Sequence, residues 1–234
     1  MNTVQEHEIQ KIDEINENTV ILPYEKHGEY FVDDIGEVDN GSAYCVVKRT
    51  FDIVMSLIAI IVLAVPMIII AIAIKITSDG TVLYKQERLG LDGKPFMIVK
   101  FRTMDMDAEA SGARWSAGDD DPRIFPLGRF LRKTRLDELP QLWNILKGEL
   151  SIVGPRPERE CFYKEFETYI HGFSNRLKVK PGLTGLAQVN GGYDLKPEEK
   201  IVFDMEYIRE RSVWIDLGII LKTVGVVVFG RGAK

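Results

Sequence analysis

The stretch IVMSLIAIIVLAVPMIIIAIAI, residues 53–74, decides how this chain of 234 residues is organised, because its 22 residues include no charged side chain. Uncharged apolar runs of about 18 or more residues are typical of membrane helices. As a straight α-helix the run would be roughly 33 Å long, against about 30 Å for the hydrocarbon core of a bilayer. The sequence therefore predicts a helix that lies in a membrane.

Pro66 lies inside this run and predicts a kink, because proline removes a backbone hydrogen bond and clashes with the preceding turn. The residues that flank the run on its two sides are cationic: Lys48, Arg49, Lys75, Lys85 and Arg88. By the positive-inside rule, both ends then favour the cytoplasmic face. Two arrangements stay open on this pattern: a helix broken at Pro66 that enters and leaves by one face, and a single span that tolerates the proline.

Charge is divided unequally along the chain, whose formal net charge is −5. Residues 1–44 carry 11 acidic and 2 basic side chains, whereas residues 45–234 carry 24 acidic and 28 basic ones. We therefore predict an acidic, mostly flexible extension over residues 1–47. The mildly basic remainder suits anionic lipid or phosphate ligands better than nucleic acid.

The remainder of the chain has the composition of a folded domain, and its glycines separate short segments of predicted helix and strand. Hydrophobic residues make up 45% of the chain, and the two cysteines and three histidines are too scattered for a disulfide framework, a zinc site or a Ser-His-Asp triad. The predicted elements are a small β-hairpin from Val82–Tyr84 and Phe96–Phe101, and helices over Asp137–Lys147, Pro157–Ile170, Pro197–Arg211 and Trp214–Phe229. This pattern is mainly α with a small hairpin, an α+β fold. The last helix is so apolar that it fits either a membrane interface or a buried core.

The stretch RKTRLDELPQLWNILKGELSIVGPRP, residues 132–157, contains the residues best suited to chemistry. Asp137 and Glu138 stand at the start of a predicted helix, where unpaired N–H groups favour anions, and Arg132 lies just upstream. Carboxylates among cations can bind Mg²⁺ or attack phosphorus, although an aspartate is also a common N-cap residue. Pro155 and Pro157 stiffen the loop around Arg156, whose guanidinium suits a phosphate.

A second acidic pattern, Asp105 with Asp107, is similar to the metal-binding Asp-x-Asp pairs of nucleotide-sugar transferases. The chain contains 16 aspartates, and Asp119 with Asp121 forms another such pair. About one pair is expected by chance at this composition. The pattern therefore carries no prediction.

Taken together, these motifs resemble the bacterial sugar transferase family, and within it the small monotopic polyprenyl-phosphate phosphoglycosyl transferases. The resemblance covers about residues 46–234. The motifs that carry it follow one another in order: KRTFD (48–52), KFRTM (100–104), DPRI (121–124), GRFLRKTRLDELPQLWN (128–144), SIVGPRP (151–157) and PGLTGLAQVNG (181–191).

The resemblance implies transfer of a sugar 1-phosphate from a UDP-sugar to undecaprenyl phosphate, with release of UMP, at the start of capsule, exopolysaccharide or glycoconjugate synthesis. It implies that Asp137 is the nucleophile of a covalent aspartyl phosphosugar intermediate, and that Glu138, with Asp137, helps to hold Mg²⁺. It also favours a re-entrant helix over 48–75, broken at Pro66. The domain over 76–234 would then lie at the cytoplasmic face of the bacterial inner membrane, with an interfacial C-terminal helix.

The resemblance further implies substrate or phosphate contacts from Lys100, Arg132, Arg156 and Gln188. Many relatives have an arginine where this chain has Gly192, so the phosphate or sugar contact of that arginine is either missing or supplied by another cation, such as Arg176 or Lys178. Both a monomer and a homodimer are compatible with the sequence. The alternative functions are a metal-dependent glycosyltransferase that releases UDP, and a non-catalytic membrane scaffold.

Overall fold

A computed structural model describes residues 24–26, 28–108, 121–191 and 195–229. The α-helices in this part of the chain are α1 (Ala43–Thr77), α2 (Pro126–Lys133), α3 (Leu142–Lys147), α4 (Glu160–Phe166), α5 (Leu186–Asn190), α6 (Pro197–Glu210) and α7 (Val213–Phe229). The strands are β1 (Tyr24–Lys26), β2 (Glu29–Phe31), β3 (Leu83–Leu89), β4 (Pro95–Phe101), β5 (Ser151–Val153), β6 (Ile170–His171) and β7 (Gly182–Thr184). Helices dominate and the sheets are small, so the α+β prediction is confirmed.

The strands form three small sheets. β3 and β4 make the predicted hairpin, antiparallel, with Leu83 opposite Phe101 and Leu89 opposite Pro95. β5 pairs in parallel with β7, and β2 lies between β1 and β6. The hairpin turns at Gly93, whose φ of 71° lies in the left-handed region that glycine adopts without strain.

Helix α1 contains the apolar run and continues without interruption through Pro66. Its length and composition are sufficient for a membrane crossing. The large apolar side chains that it exposes are Val46, Val47, Ile53, Val54, Met55, Leu57, Ile58, Ile61, Val62, Val65, Ile68, Ile69, Ile72 and Ile76. Such a continuous apolar surface is far larger than that of a soluble monomer and is compatible with a membrane-associated protein.

One face of α1 packs against the rest of the protein along most of its length. Near its start, the Asp52 carboxylate accepts a 3.0 Å hydrogen bond from the backbone N–H of Ile152. Near its end, Ile74 is fully buried in a cluster with Phe101. Just beyond the helix, Ser78 accepts a 2.7 Å hydrogen bond from a guanidinium nitrogen of the buried Arg102 at the end of β4. Both ends of α1 therefore contact the same domain.

The main hydrophobic core lies between α4, α6, α7 and the loops that join them. Its fully or almost fully buried members include Phe173, Ile201 and Met205. Burial of each such side chain contributes roughly 1.5–3 kcal/mol relative to exposure. This core supports the loops that line the cavity described below.

The described part of the acidic extension is docked on this core. β2 pairs in parallel with β6, which places Tyr30 opposite Ile170. Further along, Asn40 donates a 2.9 Å hydrogen bond to the carbonyl oxygen of Lys178, whose ammonium group pairs with Asp34. Composition predicted a mostly flexible arm over 1–47, but backbone pairing with β6 places residues 29–31 on the domain. Residues 1–23 and 27 lie outside the described residues.

Two predicted helices differ from the structure at their ends. The one expected over Asp137–Lys147 begins as a 3₁₀ helix, Leu136–Gln141, that contains Pro140 and then continues as α3. It ends at Gly148, as predicted, with a φ of 84°. The one expected over Pro157–Ile170 is helical only as α4, because the backbone is still extended at Arg159 (φ −75°, ψ 149°) and turns into β6 after Phe166.

The C-terminal helix α7 has two different sides. Ile219 is buried against the core, whereas Trp214 and Leu221 are 81% and 72% exposed. Asp216, also buried, accepts hydrogen bonds from the Tyr207 hydroxyl (2.9 Å) and from Lys48 of α1 (2.8 Å). The exposed apolar side does not fit a buried core helix, and the interfacial location stays a prediction.

Candidate active site

A cavity of about 380 Å³ opens between the β3–β4 hairpin, the start of the 3₁₀ helix and the loop that follows β5. Five of the sequence-predicted site residues line it: Lys100, Arg132, Asp137, Arg156 and Gln188. Glu138, the sixth, bonds directly to two of them. The structure thus brings together residues that come from four separate motifs.

Two close approaches fix the elements that carry the carboxylates. A Cβ at Gly128 would lie 2.1 Å from the carbonyl oxygen of Thr103, so glycine lets α2 pack against the end of β4. One turn later on α2, the Arg132 Nε atom donates a 3.1 Å hydrogen bond to the Thr103 hydroxyl. The buried Asn144 amide donates to the backbone carbonyl of Met97 and accepts from the N–H of Val99, which ties α3 to β4.

The chain turns sharply between α2 and the carboxylates. Arg135 has a φ of 59°, a left-handed conformation that is uncommon for a residue other than glycine. Its carbonyl oxygen accepts a 3.2 Å hydrogen bond from the N–H of Glu138. This turn sends the Arg135 side chain into the cavity wall and presents Asp137 to the same cavity.

Glu138 is buried and held by two cations. Its Oε1 atom lies 2.5 Å from Nη2 of Arg156 and 3.1 Å from Nζ of Lys100. Burial raises the pKa of the carboxyl, but the combined positive charges of Arg156 and Lys100 outweigh it and hold the pKa well below its usual range. Glu138 therefore stays ionised at any physiological pH and fixes both cations beside Asp137.

Asp137 has a different environment. Its side chain is almost buried, and no described residue donates a hydrogen bond to its carboxylate. Burial, together with the negative charge of Glu138, raises the pKa of Asp137 to about 6. At neutral pH the group is thus mostly ionised yet poorly stabilised, which are the properties of a reactive carboxylate nucleophile.

Arg156 is positioned by a second buried ion pair. Arg176 donates a 2.9 Å hydrogen bond to the carbonyl oxygen of Arg156, and its Nε atom lies 2.7 Å from the Asp204 carboxylate. Of the two cations expected to replace an arginine at position 192, Arg176 lines the cavity, whereas Lys178 pairs with Asp34 elsewhere. Gly192 itself lies outside the described residues.

The cavity as a whole is strongly cationic. Eleven basic residues line it, against the four acidic residues Asp105, Asp137, Glu158 and Asp204. The basic ones are Lys85, Arg88, Lys100, Arg102, Arg123, Arg132, Arg135, Arg156, Arg159, Arg176 and Lys200. Such a potential attracts di- and monophosphate esters.

Sequence reasoning missed several of these lining residues, among them Arg88, Glu158 and Asp204. A usable signal existed only for Glu158, which directly follows the GPRP motif. Asp105 of the Asp-x-Asp pattern lines the cavity, whereas Asp107 is exposed and does not. The two carboxylates of that pattern therefore do not act as a pair in this cavity.

The predicted magnesium site depends on which carboxylate oxygens reach the cavity. The described parts of the chain contain no group of three or more side chains arranged to bind a metal. Asp137 offers hard carboxylate oxygens at the cavity, whereas the Glu138 oxygens accept hydrogen bonds from Arg156 and Lys100. Mg²⁺ commonly takes one or two carboxylates and completes its shell with water and substrate phosphates. Asp137 alone thus supplies the one carboxylate that such an ion needs at the cavity, and the magnesium ion stays a prediction.

An exposed apolar helix beside a cationic cavity that contains a buried carboxylate is compatible with the class of membrane-associated proteins that act on phosphate esters. Comparison with known families makes the assignment specific. The model of the bacterial sugar transferase family matches residues 43–230, and the chain belongs to that family.

Curated relatives share this part of the chain. It is 43% identical over 182 residues to the UDP-glucose:undecaprenyl-phosphate glucose-1-phosphate transferase of Escherichia coli (76% of this chain, 39% of the relative). It is 38% identical over 215 residues to the UDP-N-acetylgalactosamine-undecaprenyl-phosphate N-acetylgalactosaminephosphotransferase of Aeromonas hydrophila (88% and 51%). It is 41% identical over 200 residues to the UDP-galactose-lipid carrier transferase of Erwinia amylovora (80% and 41%). The chain thus spans about half or less of these relatives' length.

Proposed function

We propose that this chain transfers a sugar 1-phosphate from a UDP-sugar to undecaprenyl phosphate, releases UMP, and so initiates a membrane-linked glycan. The observation that carries the proposal is Asp137, an almost buried carboxylate to which no described residue donates a hydrogen bond, next to Glu138 held by Lys100 and Arg156. The relatives' names, which specify UDP-sugar donors and undecaprenyl-phosphate acceptors, support the same substrates.

The reaction proceeds in two displacements at one phosphorus atom. A carboxylate oxygen of Asp137 attacks the β-phosphorus of the UDP-sugar, and the bond from that phosphorus to the bridging oxygen breaks. UMP leaves with the bonding electrons, and an aspartyl phosphosugar remains. A phosphate oxygen of undecaprenyl phosphate then attacks the same phosphorus and releases the Asp137 carboxylate. This sequence predicts ping-pong kinetics.

The cations around Asp137 make this attack feasible. A carboxylate about 4 Å from a phosphate charge is repelled by roughly 4 kcal/mol at an effective dielectric constant near 20. Uncompensated, that repulsion would slow the step by nearly a thousandfold. Arg156, Lys100 and Arg132 supply positive charge at the reacting phosphate. We further propose that Asp137 and Glu138 hold Mg²⁺ with the donor phosphates, which would add charge neutralisation when the ion is bound.

The lipid acceptor requires a protein at the bilayer surface. Each buried CH₂ group contributes about 0.8 kcal/mol, so a polyprenyl chain does not leave the membrane to reach a soluble enzyme. We propose that α1, which is uninterrupted at Pro66 in the structure, breaks at this proline in the bilayer and is re-entrant, and that the domain lies on the cytoplasmic face of the bacterial inner membrane. The contacts of Asp52 and Ile74 with one domain support this topology, because both ends of the helix must then lie on one side.

The nucleotide product tests the function. Purified protein in detergent is incubated with a UDP-sugar and undecaprenyl phosphate, and the nucleotide is identified by chromatography. We expect UMP from wild type and from Asp105→Asn, a matched cavity-lining control, and none from Asp137→Asn. Without the lipid, intact-protein mass should increase by one phosphosugar, and only when Asp137 is present. Release of UDP would instead indicate an ordinary glycosyltransferase, and absence of any product would indicate a scaffold.

A further inference from the structure

One wall of the cavity contains a row of polar side chains that ends in a carboxylate. Tyr84, Gln86 and Arg88 alternate along β3 and all line the cavity, because side chains two residues apart on a strand share a face. Glu158, on the loop after β5, completes the wall. Arg88 and Glu158 form an ion pair in this wall, and the cavity around the pair is cationic.

Hydrogen bonds join these four side chains in a row. The Gln86 amide donates to the Tyr84 hydroxyl at 2.7 Å, and Nη2 of Arg88 donates to the Gln86 carbonyl at 2.6 Å. Nη1 of Arg88 donates to Oε2 of Glu158 at 3.0 Å. Each member therefore limits the orientation of the next, and Arg88 holds the Glu158 carboxylate in place.

The second oxygen of Glu158 is available to a ligand. The Glu158 side chain is only 9% exposed, and among the described residues no donor reaches its Oε1 atom. Because the side chain lines the cavity, this oxygen is an acceptor for a hydrogen-bond donor on a bound ligand. Because an ionised carboxylate only accepts hydrogen bonds, that donor must be an O–H or N–H group.

The chemistry and position of this oxygen favour the sugar of the donor over its phosphates and its base. A carboxylate repels phosphate, but it accepts hydrogen bonds from the hydroxyl groups of a hexose. Glu158 follows Arg156 by two residues, at most about 7 Å along the backbone. Arg156 contacts Glu138, the neighbour of Asp137. In a UDP-sugar the hexose is joined directly to the β-phosphate, whereas ribose and a second phosphate separate the uracil from it.

We propose that Glu158 accepts hydrogen bonds from hydroxyl groups of the transferred sugar, and that the row Tyr84–Gln86–Arg88–Glu158 determines which sugar is accepted. This inference rests on the proposed function and deepens it, because it assigns the sugar-recognising surface of the same site. The donor must present a free hydroxyl to this wall.

Monodeoxy donors test the assignment. UMP release is measured with UDP-glucose, UDP-galactose and UDP-N-acetylgalactosamine, and then with the monodeoxy analogues of the donor that wild type uses best. We expect Glu158→Gln to lower kcat/KM for that donor about 10- to 100-fold, as for a lost hydrogen bond to a charged group. For the analogue that lacks the contacted hydroxyl, we expect wild type and Glu158→Gln to differ by less than about threefold.

Two controls separate a sugar contact from other effects. Glu160→Gln, on an exposed side chain of the same segment, should leave every rate unchanged. UMP, which has no hexose, should inhibit wild type and Glu158→Gln equally. If Glu158→Gln does not fold, as judged by its melting curve, Glu158→Asp must show the same dependence on one hydroxyl.

Three results would overturn the assignment of Glu158 to sugar recognition but not the proposed function: an unchanged kcat/KM in Glu158→Gln, an equal loss for the parent donor and all deoxy analogues, or weaker inhibition of Glu158→Gln by UMP. A wild type that releases no UMP from any donor would overturn the proposed function itself, and this assignment with it.

Discussion

The raised pKa of Asp137 predicts that the protein gains stability when its nucleophile is made neutral. The pKa is about 6 in the folded protein, against about 3.9 for an aspartate in an unfolded chain. The unfolded chain therefore loses its proton first. The cost of ionising Asp137 in the fold accumulates between roughly pH 4 and 6 and is constant above that window.

Asp137→Asn removes this cost because asparagine has the same shape and no charge. A difference of about two pH units corresponds to about 3 kcal/mol, so the variant should be more stable by about that amount at pH 8, and by only about 1 kcal/mol at pH 4.5. For a chain of this size, the melting temperature should rise by about 6–12 °C at pH 8.

The assay is thermal unfolding in detergent micelles, followed by circular dichroism at both pH values with EDTA present, because a bound cation would itself stabilise the carboxylate. Asp105→Asn, in which the exposed carboxylate of the same cavity is changed, should melt with wild type at both pH values. An Asp137→Asn protein that melts below wild type at pH 8, or that gains equally at both pH values, would refute the reasoning.

Three further outcomes follow from the same geometry. Because Asp137 must be ionised to attack, kcat/KM for UMP release should fall about tenfold per pH unit below about pH 6, and a rate that is flat to pH 5 would contradict the assignment. Arg135→Gly should raise the free energy of unfolding by about 1 kcal/mol, because glycine adopts the left-handed conformation without strain. The same variant should lower activity, because it removes a cation from the cavity. Equal or lower stability in denaturant titrations would argue against strain at Arg135. Single cysteines at the exposed positions Val47 and Ile76, near the two ends of α1, should be labelled from the same side of sealed vesicles; labelling from opposite sides would exclude a re-entrant helix.

Local sequence patterns predicted the features that depend only on residues close together in sequence. The apolar run predicted the long helix α1, and Gly148 predicted the end of α3. The Asp137–Glu138 pair at a helix start indicated the candidate site. Each of these rests on a short-range effect: hydrophobic length, a left-handed glycine, or unpaired N–H groups at a helix start.

The different environments of the two carboxylates could not be predicted in this way. Asp137 and Glu138 are adjacent in sequence, yet in the described part of the chain Glu138 pairs with two cations and Asp137 receives no hydrogen bond. Lys100 reaches this point from β4 and Arg156 from the loop after β5. Neither position follows from the motif that contains the carboxylates.

Sequence patterns were sufficient to predict a long apolar helix, a helical domain with a small hairpin, and a cation-rich motif around paired carboxylates. Only the folded chain shows that α1 contacts one domain at both ends, that residues 29–31 dock on β6, and that Arg88 pairs with Glu158 in a cationic cavity. The two sets of features differ in the distance along the sequence between the residues that interact. Hydrophobic period and backbone preference act within one helix or strand, whereas burial, ion pairing and pKa depend on side chains that only the folded chain brings within a few ångströms.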